Sequence, residues 1–388
     1  MDRHEILREK DFTLHITHGG PRQVFFTVDN SETKTPPVQV TASAYACILR
    51  WISEHGMQLV HERIFGSLSA QPEVVAARAQ ALTAAGIKAD SCFNYVQGRP
   101  IFGEGLAGML VQAVRPDEGS AVQTRIEDDG MAARIWLMNG ARYFLLHGVH
   151  GPSGEARAAQ AGAMFVRASE LLQREGASYR DVIRTWIYLS RILEWYGDLN
   201  RARDAKYAEF QLMPDLDADP NVPDLRLPAS TGIEGDNPFG SACTMDVLAI
   251  SGAARPVIHQ MANKVQKDAF RYGSAFSRGA CVRDAQMTRI EISGTASIDE
   301  TGKSTHIDDL PAQVAHTLDA VGALLATEGA SLADIAGATV FLKDAADYAR
   351  YREVAHQRGL DDLPAVYVHA DVCRADLLFE MDGTAVLV

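Results

Sequence analysis

The sequence predicts an α+β protein assembled from three copies of one module, and three observations carry that expectation. The element Glu175-Gly-Ala-Ser178 recurs as Glu328-Gly-Ala-Ser331, 153 residues later. At the same offset Ile187-Tyr-Leu189 answers Val340-Phe-Leu342, and Ala159-Gln160 answers Ala312-Gln313. One offset shared by three separate matches marks an internal duplication, and such repeats decide the fold before anything else does. The third observation is a fainter copy of the same element order in the first third of the chain.

Each clear copy begins with strands, Ala141 to Gly148 and Arg289 to Ile298. Apolar residues then recur at helical spacing from Ala159 to Leu172 and from Val314 to Leu325. The Glu-Gly-Ala-Ser element stops that helix at its glycine. Its serine, with Asp181 or Asp334 three residues on, can cap the next short turn. A strand follows, Thr185 to Leu189 or Ala338 to Leu342, then a helix, about Leu199 to Phe210 or Ala346 to His356, then two strands. In the fainter copy Gln23 to Val28, Leu59 to Phe65, Ser91 to Gln97 and Leu106 to Val114 read as strands. Ala42 to Ser53 and Pro72 to Ala85 read as helices. Linkers at Arg115-Pro-Asp-Glu-Gly119 and Ala253-Ala-Arg-Pro256 divide the chain into 1–117, 118–254 and 255–388, and the Asp- and Pro-rich Pro214 to Pro223 reads as a loop. Two helices cover one face of each sheet, so the other face must be covered by something. Three modules in one chain can pack those faces together, which places pockets at the module interfaces.

Composition narrows the function. The chain has 388 residues, 47% hydrophobic and 22% charged, with a formal charge of -13. That is an ordinary globular composition, and its acidity argues against a nucleic-acid partner or an anionic membrane surface. The five cysteines are scattered, with no CxxC pair, which suggests neither a zinc knuckle nor a disulfide framework. With no apolar signal core at Met1-Asp-Arg-His-Glu5 and no membrane-length run, a cytoplasmic location is expected.

The stretch richest in chemistry is Asp371-Val-Cys-Arg-Ala-Asp-Leu-Leu-Phe-Glu380. An apolar strand delivers Glu380 with no Lys or Arg within five residues. Burial there raises a carboxyl's pKa, which suits a proton donor near neutral pH. The competing reading is a strand-end glutamate held by a hydrogen bond. His147 and His150 raise the question of a metal, but no third ligand is evident, and both read as structural. Trp186 and Tyr188, alternating on one strand, read as core and interface.

The module order, with Ser293-Gly-Thr-Ala296 before a helix and Leu363-Pro364 before the last strands, resembles the RidA/YjgF superfamily. That resemblance implies chorismate-mutase-like α+β modules, here three in one chain forming an intrachain pseudo-trimer, a monomer or at most a weak dimer. Residues from about 160 onward resemble more specifically the chorismatases. The matching stretches are Val182 to Ile192, Leu199 to Tyr207, Tyr272-Gly-Ser-Ala-Phe-Ser-Arg278, Ile292 to Ile298 with His306 after it, and Asp371 to Glu380. The first 115 residues match poorly, and the Tyr272 motif is shorter than the family's usual form.

The branch implies a small anionic aromatic precursor as substrate, chorismate, and no cofactor. Glu380 then protonates the terminal methylene of the enolpyruvyl ether, and an oxocarbenium ion is captured by water or within the substrate. A cysteine at the Cys373 position goes with the hydroxybenzoate outcome; otherwise Cys373 is a small buried hydrophobe. Two substrate carboxylates call for guanidinium forks. Arg226 and Arg278 are the first candidates, and Arg374 and Arg289 rank lower. Tyr272 and the backbone of Ser293, Gly294, Thr295 and Ala296 complete the expected binding wall. The alternative enzyme, a RidA-type imine deaminase, carries an arginine after the Leu-Pro of its final loop. Leu363-Pro-Ala-Val366 and Leu227-Pro-Ala-Ser230 lack it. A non-catalytic binding protein would be favoured by an exposed Glu380 with no pocket beside it.

Overall fold

Three sheets repeat one strand order along the chain. The computed structural model describes residues 3–31, 34–213, 227–263 and 265–388. The first sheet-forming segment contains β1 (His4–Arg8), β2 (Thr13–His18), β3 (Gln23–Asp29), α1 (Pro37–Glu54), β4 (Gln58–Gly66), α2 (Gln71–Ala84), β5 (Asn94–Gln97), β6 (Arg99–Pro100) and β7 (Leu106–Val114). The second contains β8 (Gln123–Ile126), β9 (Ala132–Met138), β10 (Ala141–His150), α3 (Arg157–Arg174), β11 (Val182–Leu189), α4 (Tyr196–Glu209), β12 (Ala229–Glu234) and β13 (Cys243–Ser251). The third contains β14 (Val257–Met261), β15 (Gly279–Arg283), β16 (Thr288–Ala296), α5 (Leu310–Ala326), β17 (Ile335–Leu342), α6 (Tyr348–Gln357), β18 (Ala365–His369) and β19 (Phe379–Leu387).

The sheet orders are β1-β2-β3-β7-β4-β5, β8-β9-β10-β13-β11-β12 and β14-β15-β16-β19-β17-β18. In each, the last pair is parallel, β4 with β5, β11 with β12 and β17 with β18. The third sheet gains β6 from the first segment, where Pro100 and Arg99 pair with Val368 and His369. This short exchange has no signal in the sequence pattern.

Local chemistry explains the helix ends. Gly176 and Gly329 take φ of 77° and 76°, the left-handed conformation that ends α3 and α5 without a Cβ penalty. Ser178 and Asp181 then form a capping box around a 3₁₀ turn, and Ser331 and Asp334 repeat it. The helix α5 starts one turn earlier than its apolar spacing shows, because Asp309 accepts from the Ala312 N–H and Pro311 fits the first turn. The expected loop from Pro214 to Pro223 lies outside the described residues.

Each sheet packs its helices over an apolar cluster of its own. A further cluster draws on all three sheets: Val60 and Leu110 from the first, Trp136 and Trp186 from the second, Phe341 and Val366 from the third. Trp186 and Tyr188 sit in it, as expected of them. Among the described residues no helix is long and apolar enough to cross a membrane.

Candidate active site

The second and third sheets meet along β12 and β16. Ala229 forms a parallel bridge with Ser277, and the Ser230 N–H donates to Ser293 Oγ at 2.9 Å. Ser293 Oγ in turn donates to the Ser277 carbonyl at 2.6 Å. Beside this clamp lies a narrow cavity of about 40 Å³, lined from one side by Tyr196, Ser230 and Gly232. The other side supplies Tyr272, Phe276, Arg278, Gly294, Ala296, Cys373, Arg374 and Glu380. That is room for a few water molecules, at roughly 10–15 Å³ each.

Glu380 is 4% exposed and pairs with Ala296 across β19 and β16. Among the described residues no group donates a hydrogen bond to its carboxyl. Burial pushes its pKa up to about 8, and the neighbouring Asp382 carboxylate adds to the rise against the opposing pull of Arg184 and Arg278. The carboxyl is therefore protonated at neutral pH. Gly294 makes its position possible, because a Cβ there would run into Glu380 Oε1 and lie 3.2 Å from the Thr231 methyl. The need at this glycine is space rather than backbone conformation.

Arg278 is buried, donating through Nε to the Lys267 carbonyl at 3.1 Å and through Nη2 to Tyr272 Oη at 2.8 Å. Its Nη1 makes no hydrogen bond among the described residues. Arg374 donates to the Gly302 carbonyl at 3.0 Å. Both guanidinium carbons lie 5.6 Å from the centre of the Tyr272 ring. Two cations thus flank one aromatic ring at the cavity wall, an arrangement suited to a ligand with two carboxylates. The Cys373 thiol is pushed up to about 12, mainly by burial and further by Glu380, so it stays a neutral thiol.

The structure brings together most of the residues singled out in the sequence: Glu380, Cys373, Arg278, Tyr272, Gly294 and Ala296 all line the cavity. Ser293 and Thr295 do not, since Ser293 clamps the two sheets and Thr295 Oγ1 donates to the Ser293 carbonyl at 2.8 Å. Arg226 lies outside the described residues. Arg374, ranked below it, is in the wall. Arg289 is elsewhere, paired with Glu291 and facing Gln23 and Phe25 of the first sheet. Tyr196 escaped the sequence reading, and Phe276 stood in the quoted Tyr272 to Arg278 stretch without a role. Tyr196 opens α4 three residues before Leu199, where the sequence reading starts that helix.

The same place in the second sheet is closed. There β10 and β13 carry the bulge seen between β16 and β19, with His150 opposite Thr244 where Ala296 faces Glu380. Threonine stands in place of the acid. Phe239 stacks on His150 at 4.2 Å and lies 3.1 Å from where a Gly148 Cβ would project. In the first sheet the strand carries Ala107 and Gly108, and Val366 packs 2.8 Å from the Gly108 Cβ position.

Three α+β sheets of one topology, a covalent set of modules, and an acid in the seam between two of them define a class of fused module proteins. The comparisons place it. The Endoribonuclease L-PSP family profile matches residues 268–387. A "3-hydroxybenzoate synthase" of Streptomyces hygroscopicus is 27% identical over 278 residues, 64% of this chain and 75% of that protein. A "Chorismatase" of Streptomyces rapamycinicus is 25% identical over 294 residues, 68% of this chain and 85% of that protein. A chorismatase crystal structure superposes with a TM-score of 0.62 at 21% identity, covering 84% of this chain and 92% of its own. The chain belongs to the RidA/YjgF-like superfamily, and over about two thirds of its length it is similar to chorismatases.

Proposed function

We propose that this protein cleaves the enolpyruvyl ether of chorismate, or of a close analogue, and releases pyruvate. The observation that carries the reading is Glu380, a buried carboxyl with a raised pKa lining a narrow cavity beside two guanidinium groups. Residues 1–117, 118–254 and 255–388 then act as three modules closing a pseudo-trimer, with one competent interface, between the second and third. The shared strand order and the threonine opposite His150 support this.

Glu380 delivers its proton to the terminal methylene carbon of the enol ether. The ether oxygen then stabilises the adjacent cation as an oxocarbenium ion. Leaving the carboxylate behind in a dry site favours its return to the neutral form when a proton is given back. Arg278 and Arg374 hold the substrate carboxylates and so fix the methylene against Glu380. Capture by water adds one water and yields pyruvate and a dihydroxycyclohexadiene carboxylate. Capture by the substrate's own ring hydroxyl, whose oxygen leaves with pyruvate as its bond to the ring breaks and a ring proton is lost, yields pyruvate and a hydroxybenzoate with no net water. Cys373 lies beside Glu380 in the same wall, where a thiol can steer the second outcome. The cavity must widen for a ten-carbon diacid, and among its lining side chains Tyr196, Tyr272, Cys373 and Arg374 are partly exposed.

The buried setting of Glu380 disfavours a non-catalytic binding protein, and the missing arginine after both Leu-Pro elements disfavours imine deamination. The test is to incubate the protein with chorismate, assay pyruvate and identify the ring product by mass. Pyruvate with a hydroxybenzoate or dihydro-diol acid supports the reading. No chorismate turnover, with ammonia released from an imine substrate instead, would replace it.

A further inference from the structure

His147, read from the sequence as lacking metal-binding company, has it in the fold. His61 of β4, His147 of β10 and Asp246 of β13 meet where the first and second sheets join. Each brings one ligand atom within 4.8 Å of the other two, and all three side chains are buried. His61 Nε2 lies 3.2 Å from Asp246 Oδ2. The other carboxylate oxygen, Oδ1, accepts from Asn94 Nδ2 at 2.8 Å and from the Gly148 N–H at 2.9 Å, which fixes its direction.

A second observation is independent of that proximity. His147 Nε2 faces the Val60 carbonyl at 3.2 Å, so this nitrogen carries the hydrogen and Nδ1 carries the lone pair. His147 Nδ1 and Asn94 Oδ1 are both buried without a partner. Each such orphaned acceptor is a net cost to the folded chain. A buried imidazole lone pair with nothing to accept from, in the same cluster as His61 and Asp246, is what an electron-pair acceptor would satisfy.

We propose that His61, His147 and Asp246 form a divalent transition-metal site that staples the first module onto the second. Two imidazole nitrogens and one carboxylate suit zinc, and nitrogen donors favour it over magnesium or calcium. The nearby cations are largely answered. Arg134 pairs with Glu62 at 2.9 Å, and Arg63 donates to Tyr188 Oη at 3.3 Å and approaches Asp382 at 4.0 Å. The position itself is an inter-module clamp. His147 occupies the bulge of β10 that Ser293 occupies in β16, and Ser293 holds the third sheet to the second.

The full-length chain should be stripped with a chelator, reloaded with zinc sulfate, dialysed and analysed for bound metal and thermal midpoint. A half-exposed cluster, His259, Cys281 and Glu328, is the competing site on this chain. We expect about one zinc per chain and a midpoint raised by several degrees, both lost in His147→Ala and both kept in His259→Ala. Should His147→Ala fail to fold, cobalt loading of the unaltered chain decides. Nitrogen and oxygen ligation without a thiolate charge-transfer band supports the site, whereas a thiolate band assigns the metal to Cys281 and overturns it. Zinc at background levels with an unchanged midpoint overturns it as well.

Discussion

Arg184 of β11 donates to Asp382 of β19 across 2.9 Å, joining the second sheet to the third through a pair with no solvent exposure. Thr231 Oγ1 accepts from the same guanidinium at 2.7 Å and donates to the same carboxylate at 2.7 Å. Glu291 lies 3.8 Å from Arg184 Nε. Arg184, whose pull opposes the rise in the Glu380 pKa, is thus committed to two other carboxylates. Glu380 keeps its proton because burial is uncompensated and Asp382, two residues away, repels a second charge.

Asp382→Asn should therefore lower the pKa of Glu380, by removing a repelling charge and freeing Arg184. The alkaline limb of kcat should move down by about one pH unit, in line with the effect of a nearby opposite charge. Breaking a buried pair also costs about 3–5 kcal/mol, so the profile is measured below the variant's own thermal midpoint. An unmoved limb would show that Asp382 only holds Arg184.

In the unaltered protein the acid form of Glu380 is the active one, so activity should be level below pH 7 and fall through a pKa of about 8. Stability follows the same proton. A carboxyl raised above its unfolded value favours folding fully below about 4.5, and that contribution is lost as pH rises from there through about 8. Glu380→Gln should accordingly raise the thermal midpoint at pH 9 and not at pH 4. A midpoint equal to that of the parent at both pH values would mean an ionised, solvated carboxyl.

Gly294→Ala places a Cβ against the Glu380 carboxyl and the Thr231 methyl. A misplaced acid should lower kcat about 100-fold. Gly148→Ala is the control, since it strains a residue at φ 61° and presses on Phe239 at the closed counterpart of the site. It should lower the thermal midpoint and leave the pH profile as it was. Steady-state kinetics and melting curves on both variants separate the two effects.

Much of this arrangement was legible in the sequence. The Glu-Gly-Ala-Ser repeat located matching helix ends because a left-handed glycine and a capping box are local devices, written in four to seven adjacent residues. Glu380 was legible because an acid on an apolar strand is costly wherever that strand goes. The meeting of segments was not. Nothing near His147 announces His61, which reaches it from another sheet, and two residues of β6 carry no period to detect. Arg374 ranked low because nothing in the sequence shows it sharing the Tyr272 ring with Arg278.

The two guanidinium groups should separate from the chemistry kinetically. Arg374→Gln should raise KM about 10- to 100-fold, the worth of a charge-assisted hydrogen bond, with a smaller effect on kcat. Arg278→Lys should do the same while keeping the cation near Tyr272. An unchanged KM in both variants would place the carboxylates elsewhere.

Cys373→Ala tests product choice. The variant should alter the ratio of hydroxybenzoate to dihydro-diol acid or the rate at which either forms, as read by mass analysis of the ring product. Identical products at identical rates would make Cys373 a packing residue.

The most direct measurement is pyruvate release from chorismate by Glu380→Gln, alongside a circular dichroism spectrum and melting curve. The amide keeps the shape of the neutral acid and has no proton to give. We predict a folded protein with pyruvate release reduced to background; release at the parental rate would contradict the central role of this carboxyl.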